Sequence, residues 1–257
     1  MRKPTAVITG GAQGIGRVTA GVLARDGYAV ALLDLRPDGA AAVAAELCAA
    51  GAATLALQVD VSNELAVTTA FDRVIAEFGR LDLLVNGAAW VDPPFEVVDM
   101  PLQVWERTFS VALTGTFLCS RQALRCMLPA GSGSIVNISS VAGKMPYRFR
   151  AAYAAANAGV QSLTRTLALE AGPHGIRVNA VCPGPVEGPR IETVFEQRAS
   201  AADMPYAAVR EEFERGAALR QLTRPEDVAE LIRFLASPAA ARITGQLIDV
   251  DAGYLLK

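Results

Sequence analysis

Short apolar runs alternate along the chain with longer stretches in which apolar residues recur every three or four positions. The first spacing suits fully buried strands and the second amphipathic helices. Strands are predicted at 6–9, 28–33, 54–59, 81–85, 134–138, 176–181 and 246–250. Between them, helices are predicted at 17–25, 38–50, 62–78, 101–127, 151–171 and 225–236. Gly51 and Gly79 stand where helices should stop, and Ser62 is positioned to cap the helix that follows it. Only residues 185–217 break the alternation, as a long, mixed, charged excursion.

Most of these strands are too apolar to own a wet face, so both faces of the sheet must be covered by helices. The pattern therefore implies an α/β fold: a single-domain, Rossmann-type doubly wound parallel sheet with helices on both faces, spanning residues 1–257. Ligands in such folds bind beyond the carboxyl ends of the strands. The polar residues Thr9, Asp34, Asp60, Asn86, Ser139 and Ser140 fall at those ends. The excursion at about 185–217 would then act as a substrate lid, because a long insertion beside a site is usually functional.

Composition narrows the class. The chain is 52% hydrophobic with a net charge of −2 and no basic cluster, which argues against a nucleic-acid surface. No apolar run reaches membrane-spanning length, and Met1-Arg2-Lys3-Pro4 leads straight into the first strand without the pattern of a signal peptide. Cys48, Cys119, Cys126 and Cys182 have neither metal-ligand spacing nor a disulfide framework, so no metal is expected and a cytoplasmic location is. His174, the only histidine, sits in a Gly172-Pro173-His174-Gly175 turn and reads as a surface residue.

The richest chemistry is near the start. The run Ala6-Val7-Ile8-Thr9 enters Gly10-Gly11-Ala12-Gln13-Gly14-Ile15-Gly16, and a helix begins at once. Glycines there allow a tight turn, let a ligand approach backbone, and expose the first-turn amides as an anion site. A dinucleotide pyrophosphate is the usual occupant. The next strand ends in Asp34, about twenty residues on, where an acid can hold an adenosine ribose and repel a 2′-phosphate. NAD is thereby favoured over NADP, although Arg36 stands two residues further on.

Several ordered motifs, covering nearly the whole chain, resemble the short-chain dehydrogenase/reductase family. They are Thr9-Gly10 with Gly14-Ile15-Gly16, Asp60-Val61, Gly133 to Ser140, Tyr153 thirteen residues after Ser140, and Arg177 to Gly184. The close, Pro225-Glu226-Asp227-Val228 with Ile243-Thr244-Gly245-Gln246 and Asp251-Ala252-Gly253, matches as well. The resemblance implies a nicotinamide-dependent oxidoreductase interconverting a secondary alcohol and a ketone. Tyr153 would transfer the proton and Ser140 would hold the substrate oxygen. Cofactor contacts would come from Gly10, Gln13, Gly14, Ile15, Gly16, Asp34, Leu35, Asp60, Val61, Asn86, Gly87 and Ala88, and further on from Tyr153, Asn157, Pro183, Gly184 and Val186. A small-molecule alcohol or ketone as partner and a homotetramer follow from the same resemblance.

The chain departs from the family pattern at four places. Asn157 replaces the lysine one helical turn after the tyrosine, and Ala112 replaces the asparagine before Leu113-Thr114-Gly115. Asn86-Gly87-Ala88-Ala89 stands for Asn-Asn-Ala-Gly, and Gly188 for a threonine. A tyrosine that titrates near 10 is a poor base at neutral pH unless a cation favours its phenolate. Asn157 can hydrogen-bond a ribose but brings no charge, which predicts attenuated turnover. Lys144, Arg148 and Arg150 lead up to Tyr153 and are candidates to substitute, while Trp90 and Tyr147 are candidates to line a substrate pocket. The competing expectation is a weak or inactive member that serves as a cofactor-gated binding protein or as a subunit beside an active relative.

Overall fold

A computed structural model describes residues 3–256, and of Ala201 and Ala202 only the backbone. Met1 and Arg2, read above as leading into the first strand, lie outside the described residues, as does Lys257.

The predicted alternation is present. β1 (Thr5–Thr9), β2 (Ala29–Asp34), β3 (Thr54–Gln58), β4 (Leu83–Asn86), β5 (Gly133–Ile138), β6 (Ile176–Pro183) and β7 (Leu247–Val250) form one parallel sheet in the order β3-β2-β1-β4-β5-β6-β7. α1 (Gly14–Arg25), α2 (Pro37–Ala49) and α3 (Glu64–Phe78) connect the first four strands. Strand alternation divides the sheet's side chains between two cores. Ile8, Val30, Leu32, Val85 and Val136 pack against α1 and α2 on one face. Val7, Ala31, Leu33, Leu84 and Ile135 pack against α3 on the other.

The strand order reverses between β1 and β4, and a crevice opens at such a switch point beyond the carboxyl ends of the strands. The turns after both strands border it. They are stitched together by Thr9, whose hydroxyl accepts hydrogen bonds from the amides of Gly87 and Ala88 at 3.0 and 3.2 Å.

The remaining helices are α4 (Leu102–Phe109), α5 (Gly115–Met127), α6 (Ala151–Ala171), α7 (Pro189–Ala202), α8 (Tyr206–Gly216) and α9 (Pro225–Ala236). α6 and α9 keep their predicted bounds. The helix expected over 101–127 is interrupted by a π-helical segment, Ser110–Thr114, that joins α4 to α5. Such segments often sit at functional sites, and this one brings Ala112 to the crevice. α3 is capped by Asn63, not Ser62, because the Asn63 carboxamide oxygen accepts from the Ala66 amide at 3.0 Å. Ser62 instead donates from its hydroxyl and its amide to Asp60.

The excursion is helical rather than irregular. Ile191, Val194 and Phe195 on α7, with Val209 and Phe213 on α8, build an apolar cluster of their own against Tyr147 and Tyr254. Arg198 and Glu212 cross-link the two helices at 2.6 Å. Among the described residues, no helix is long and apolar enough to cross a membrane. Cys119 and Cys182 are buried, and burial pushes their thiols up to about 12 and about 11. His174 is exposed in its turn, as expected.

Candidate active site

A large cavity of about 900 Å³ opens along the carboxyl ends of the strands. At one end lies the glycine turn. The backbone turns so sharply between β1 and α1 that a side chain on Gly16 would run into the Gly10 carbonyl oxygen. α1 starts without a side-chain cap at Gln13 and without an acid in its first turn, so its leading amides are free to meet an anion. Gly14 takes φ +53°, and a side chain there would meet only open space. That cradle fits a dinucleotide diphosphate.

Asp34 closes the same end. It is nearly buried, with one carboxylate oxygen accepting from the Ala12 amide at 3.0 Å and the other from the Arg36 amide at 3.0 Å. The acid thus braces the turn as well as facing the cavity. Leu35, Arg36, Asp60 and Val61 continue the wall. Burial pushes the Asp60 carboxyl up, but the Ser62 hydroxyl and amide and the guanidinium of Arg107 outweigh it and hold the group below its ordinary value. Arg107, from α4, pairs with Asp60 at 3.3 Å. Nothing in the local spacing pointed to it, because the contact is made across the fold.

The middle of the cavity brings together most of the remaining predicted residues: Gly87, Ala88, Ser140, Tyr153, Asn157, Pro183, Gly184 and Val186. Asn86 is different. Its side chain points back under β5, where the amide donates to Ser120 at 3.0 Å and to Asn137 at 2.8 Å, so it supports the wall without forming it. Ser140 Oγ accepts from the Ala142 amide at 3.1 Å and caps the short turn Val141–Gly143. Its hydroxyl proton stays available to donate. Gln161 fixes this platform by donating to Ser139 Oγ and to the Ser140 carbonyl. Asn157 donates its amide to the Tyr153 carbonyl at 2.9 Å, within its own helix.

Gly188, at the start of α7, takes φ +130°, a backbone conformation that side-chain-bearing residues adopt only with strain. The departure from threonine there follows from the path of the chain into α7.

The cations weighed as stand-ins for the missing lysine separate cleanly. Lys144 turns away and pairs with Asp249 at 2.5 Å. Arg148 lines the cavity but pairs with Glu96 at 3.0 Å. Arg150 lies 5.6 Å from the centroid of the Tyr153 ring and pairs with the buried Asp92 at 3.2 Å. Arg190, from α7, approaches the same ring more closely, at 5.2 Å. Sequence spacing could not reveal that contact, since Arg190 reaches Tyr153 only when the excursion folds back. Trp90 and Tyr147 both line the cavity, as expected. Burial pushes the Tyr147 hydroxyl well up, and the neighbouring Tyr254 adds to it.

An uncapped glycine turn and the Ser140 and Tyr153 hydroxyls thus share one cavity. Comparison with known proteins gives the family. A family model described as enoyl-(acyl carrier protein) reductase matches residues 10–255. Cis-4-hydroxycyclohexanecarboxylate dehydrogenase of Sinomonas cyclohexanicum is 42% identical over 249 residues, covering 97% of this chain and 95% of that one. D-threitol dehydrogenase of Mycolicibacterium smegmatis is 37% identical, covering 98% and 93%. The crystal structure of NAD+-bound xylitol dehydrogenase superposes with a TM-score of 0.93 at 28% identity, covering 96% of this chain and 97% of that one. The chain belongs to the short-chain dehydrogenase/reductase family, whose members use nicotinamide cofactors.

Proposed function

We propose that this protein is an NAD(H)-dependent oxidoreductase that interconverts a secondary alcohol and a ketone. The observation that carries this reading is the shared cavity: Ser140 and Tyr153 stand on its wall, with the uncapped α1 turn and Asp34 at its far end. The α1 amides and Gly14 would hold the diphosphate, and Asp34 the adenosine ribose, which favours NAD over NADP. Bound nicotinamide supplies the hydride or accepts it. Ser140 then donates a hydrogen bond to the substrate oxygen, and the Tyr153 hydroxyl passes a proton to that oxygen in reduction, while its phenolate takes the proton in oxidation. Asn157 contributes no charge, so proton transfer lacks the help of a lysine one helical turn away and turnover is attenuated.

We read residues 1–257 as one domain with α7 and α8 as its lid, held by their own apolar cluster. A homotetramer would cover apolar residues that α4 and α5 leave exposed, among them Leu102, Trp105 and Phe117. The relatives named as dehydrogenases of a hydroxycyclohexanecarboxylate and of threitol support an alcohol substrate.

A second reading, an inactive cofactor-binding subunit, draws on the Asn157 amide being engaged by its own helix. Titration of NADH and NADPH, with turnover on an alcohol and ketone panel for wild type and Asn157→Lys, decides between them. The enzyme reading predicts tighter binding of NADH than NADPH, slow wild-type turnover, and acceleration by Asn157→Lys. Firm NADH binding with no turnover by either protein would favour the subunit reading, and no cofactor binding would end both.

A further inference from the structure

Four arginines, Arg148, Arg150, Arg190 and Arg198, line the lid end of the cavity. Arg148 and Arg198 are satisfied, by Glu96 at 3.0 Å and Glu212 at 2.6 Å. Arg150 and Arg190 both lean on the Tyr153 ring and have one acid near them, Asp92. Asp92 is fully buried, and Arg150 engages both its Oδ1 and its backbone carbonyl. Burial also pushes the Asp92 carboxyl up, which weakens it as a counter-ion. Arg190 lines the cavity and makes no ion pair among the described residues; its Nη2 is buried without a hydrogen-bond partner, as is Oδ2 of the nearby Asp92. A guanidinium on a largely apolar cavity wall without a paired acid is costly unless a ligand supplies the counter-charge.

Apolar side chains line much of this end of the cavity. Trp90, Phe149, Val194 and Phe213 line the same end of the cavity. A carboxylate matches a guanidinium fork in plane and spacing, and an apolar body would fill the rest.

We propose that Arg190 is the anion-binding residue of the substrate site and that the substrate carries a carboxylate on an apolar body. The proposal rests on the oxidoreductase reading and names the substrate class within it. Neutral analogues are rejected because they leave the Arg190 guanidinium without a counter-charge, a form of discrimination stronger than apolar fit alone. The diphosphate cradle lies at the opposite end of the cavity, so Arg190 is free for substrate.

The test uses the full chain saturated with NADH and a matched pair of unreactive probes, cyclohexanecarboxylate and cyclohexanecarboxamide, with affinities measured by calorimetry. Wild type should bind the carboxylate at least about tenfold more tightly than the amide, as expected when a charged hydrogen bond is at stake. Arg190→Gln should erase that preference without changing NADH affinity, and Arg190→Lys should keep part of it. Equal or undetectable binding of the two probes by NADH-loaded wild type overturns the proposal, as does a preference that survives Arg190→Gln. A loss of NADH affinity in Arg190→Gln would assign the arginine to the cofactor and also overturn it. If wild type fails to bind NADH, the oxidoreductase reading itself falls and takes the proposal with it.

Discussion

The two ends of the cavity are built from different materials. The nucleotide end is mostly backbone: a glycine turn, the bare amides of α1, and an acid that braces the turn through the Ala12 and Arg36 amides. The lid end is mostly side chains: the Arg150–Asp92 pair, two guanidiniums on the Tyr153 ring, and the apolar cluster under α7 and α8. Backbone geometry is set by local sequence and tolerates little change. A side-chain wall is assembled from distant segments and can be re-tuned residue by residue. The division suits a protein that keeps one cofactor and adapts its substrate.

If the ends are independent, breaking one should leave the other standing. The largest stability effect should come from Arg150→Gln, which strands the fully buried Asp92 carboxyl; losing one partner of a buried pair costs about 3–5 kcal/mol. Denaturant unfolding should report that loss. Adding Asp92→Asn should recover most of it, and NADH affinity should stay put throughout. Gly16→Ala is the mirror experiment. Its new methyl group meets the Gly10 carbonyl, so overpacking should cost about 1–3 kcal/mol and weaken NADH binding. If Gly16→Ala binds NADH normally, the nucleotide end is more pliable than its geometry implies.

A smaller effect separates Asp34's two jobs. Asp34→Ala removes both the turn brace and the ribose acceptor, and NADH affinity should fall at least about tenfold, the scale of one charged hydrogen bond. NADPH affinity should fall less, since a repulsive charge leaves as well. Equal losses for the two cofactors would mean the acid only braces the turn.

The same division explains what could be read from the sequence. Local spacing was enough to place Gly10, Gly14, Gly16 and Asp34 together, and the structure has them on one cavity. The strand alternation fixed the sheet, and α6 and α9 were found with their bounds. The π-helical segment at Ser110–Thr114 was not, because one extra residue per turn barely disturbs the apolar rhythm. Asn86 was expected on the cavity, but its strand position turns the side chain under β5 toward Asn137. α7 and α8 did carry a signal, in the helical spacing of Ile191, Val194 and Phe195 and of Val209 and Phe213, which the dense charges obscured. Arg107 and Arg190 could not be found that way at all. Each meets its partner, Asp60 or Tyr153, only across the folded chain.

In the function proposed above, Tyr153 carries the proton without a neighbouring lysine. The most direct measurement compares wild type with Tyr153→Phe by following the loss of nicotinamide absorbance as NADH-loaded enzyme reduces a ketone that wild type accepts. With NADH at saturation, turnover should be slowed by about 10²- to 10⁴-fold, the usual worth of a positioned proton donor. Turnover in Tyr153→Phe equal to that of wild type would contradict it.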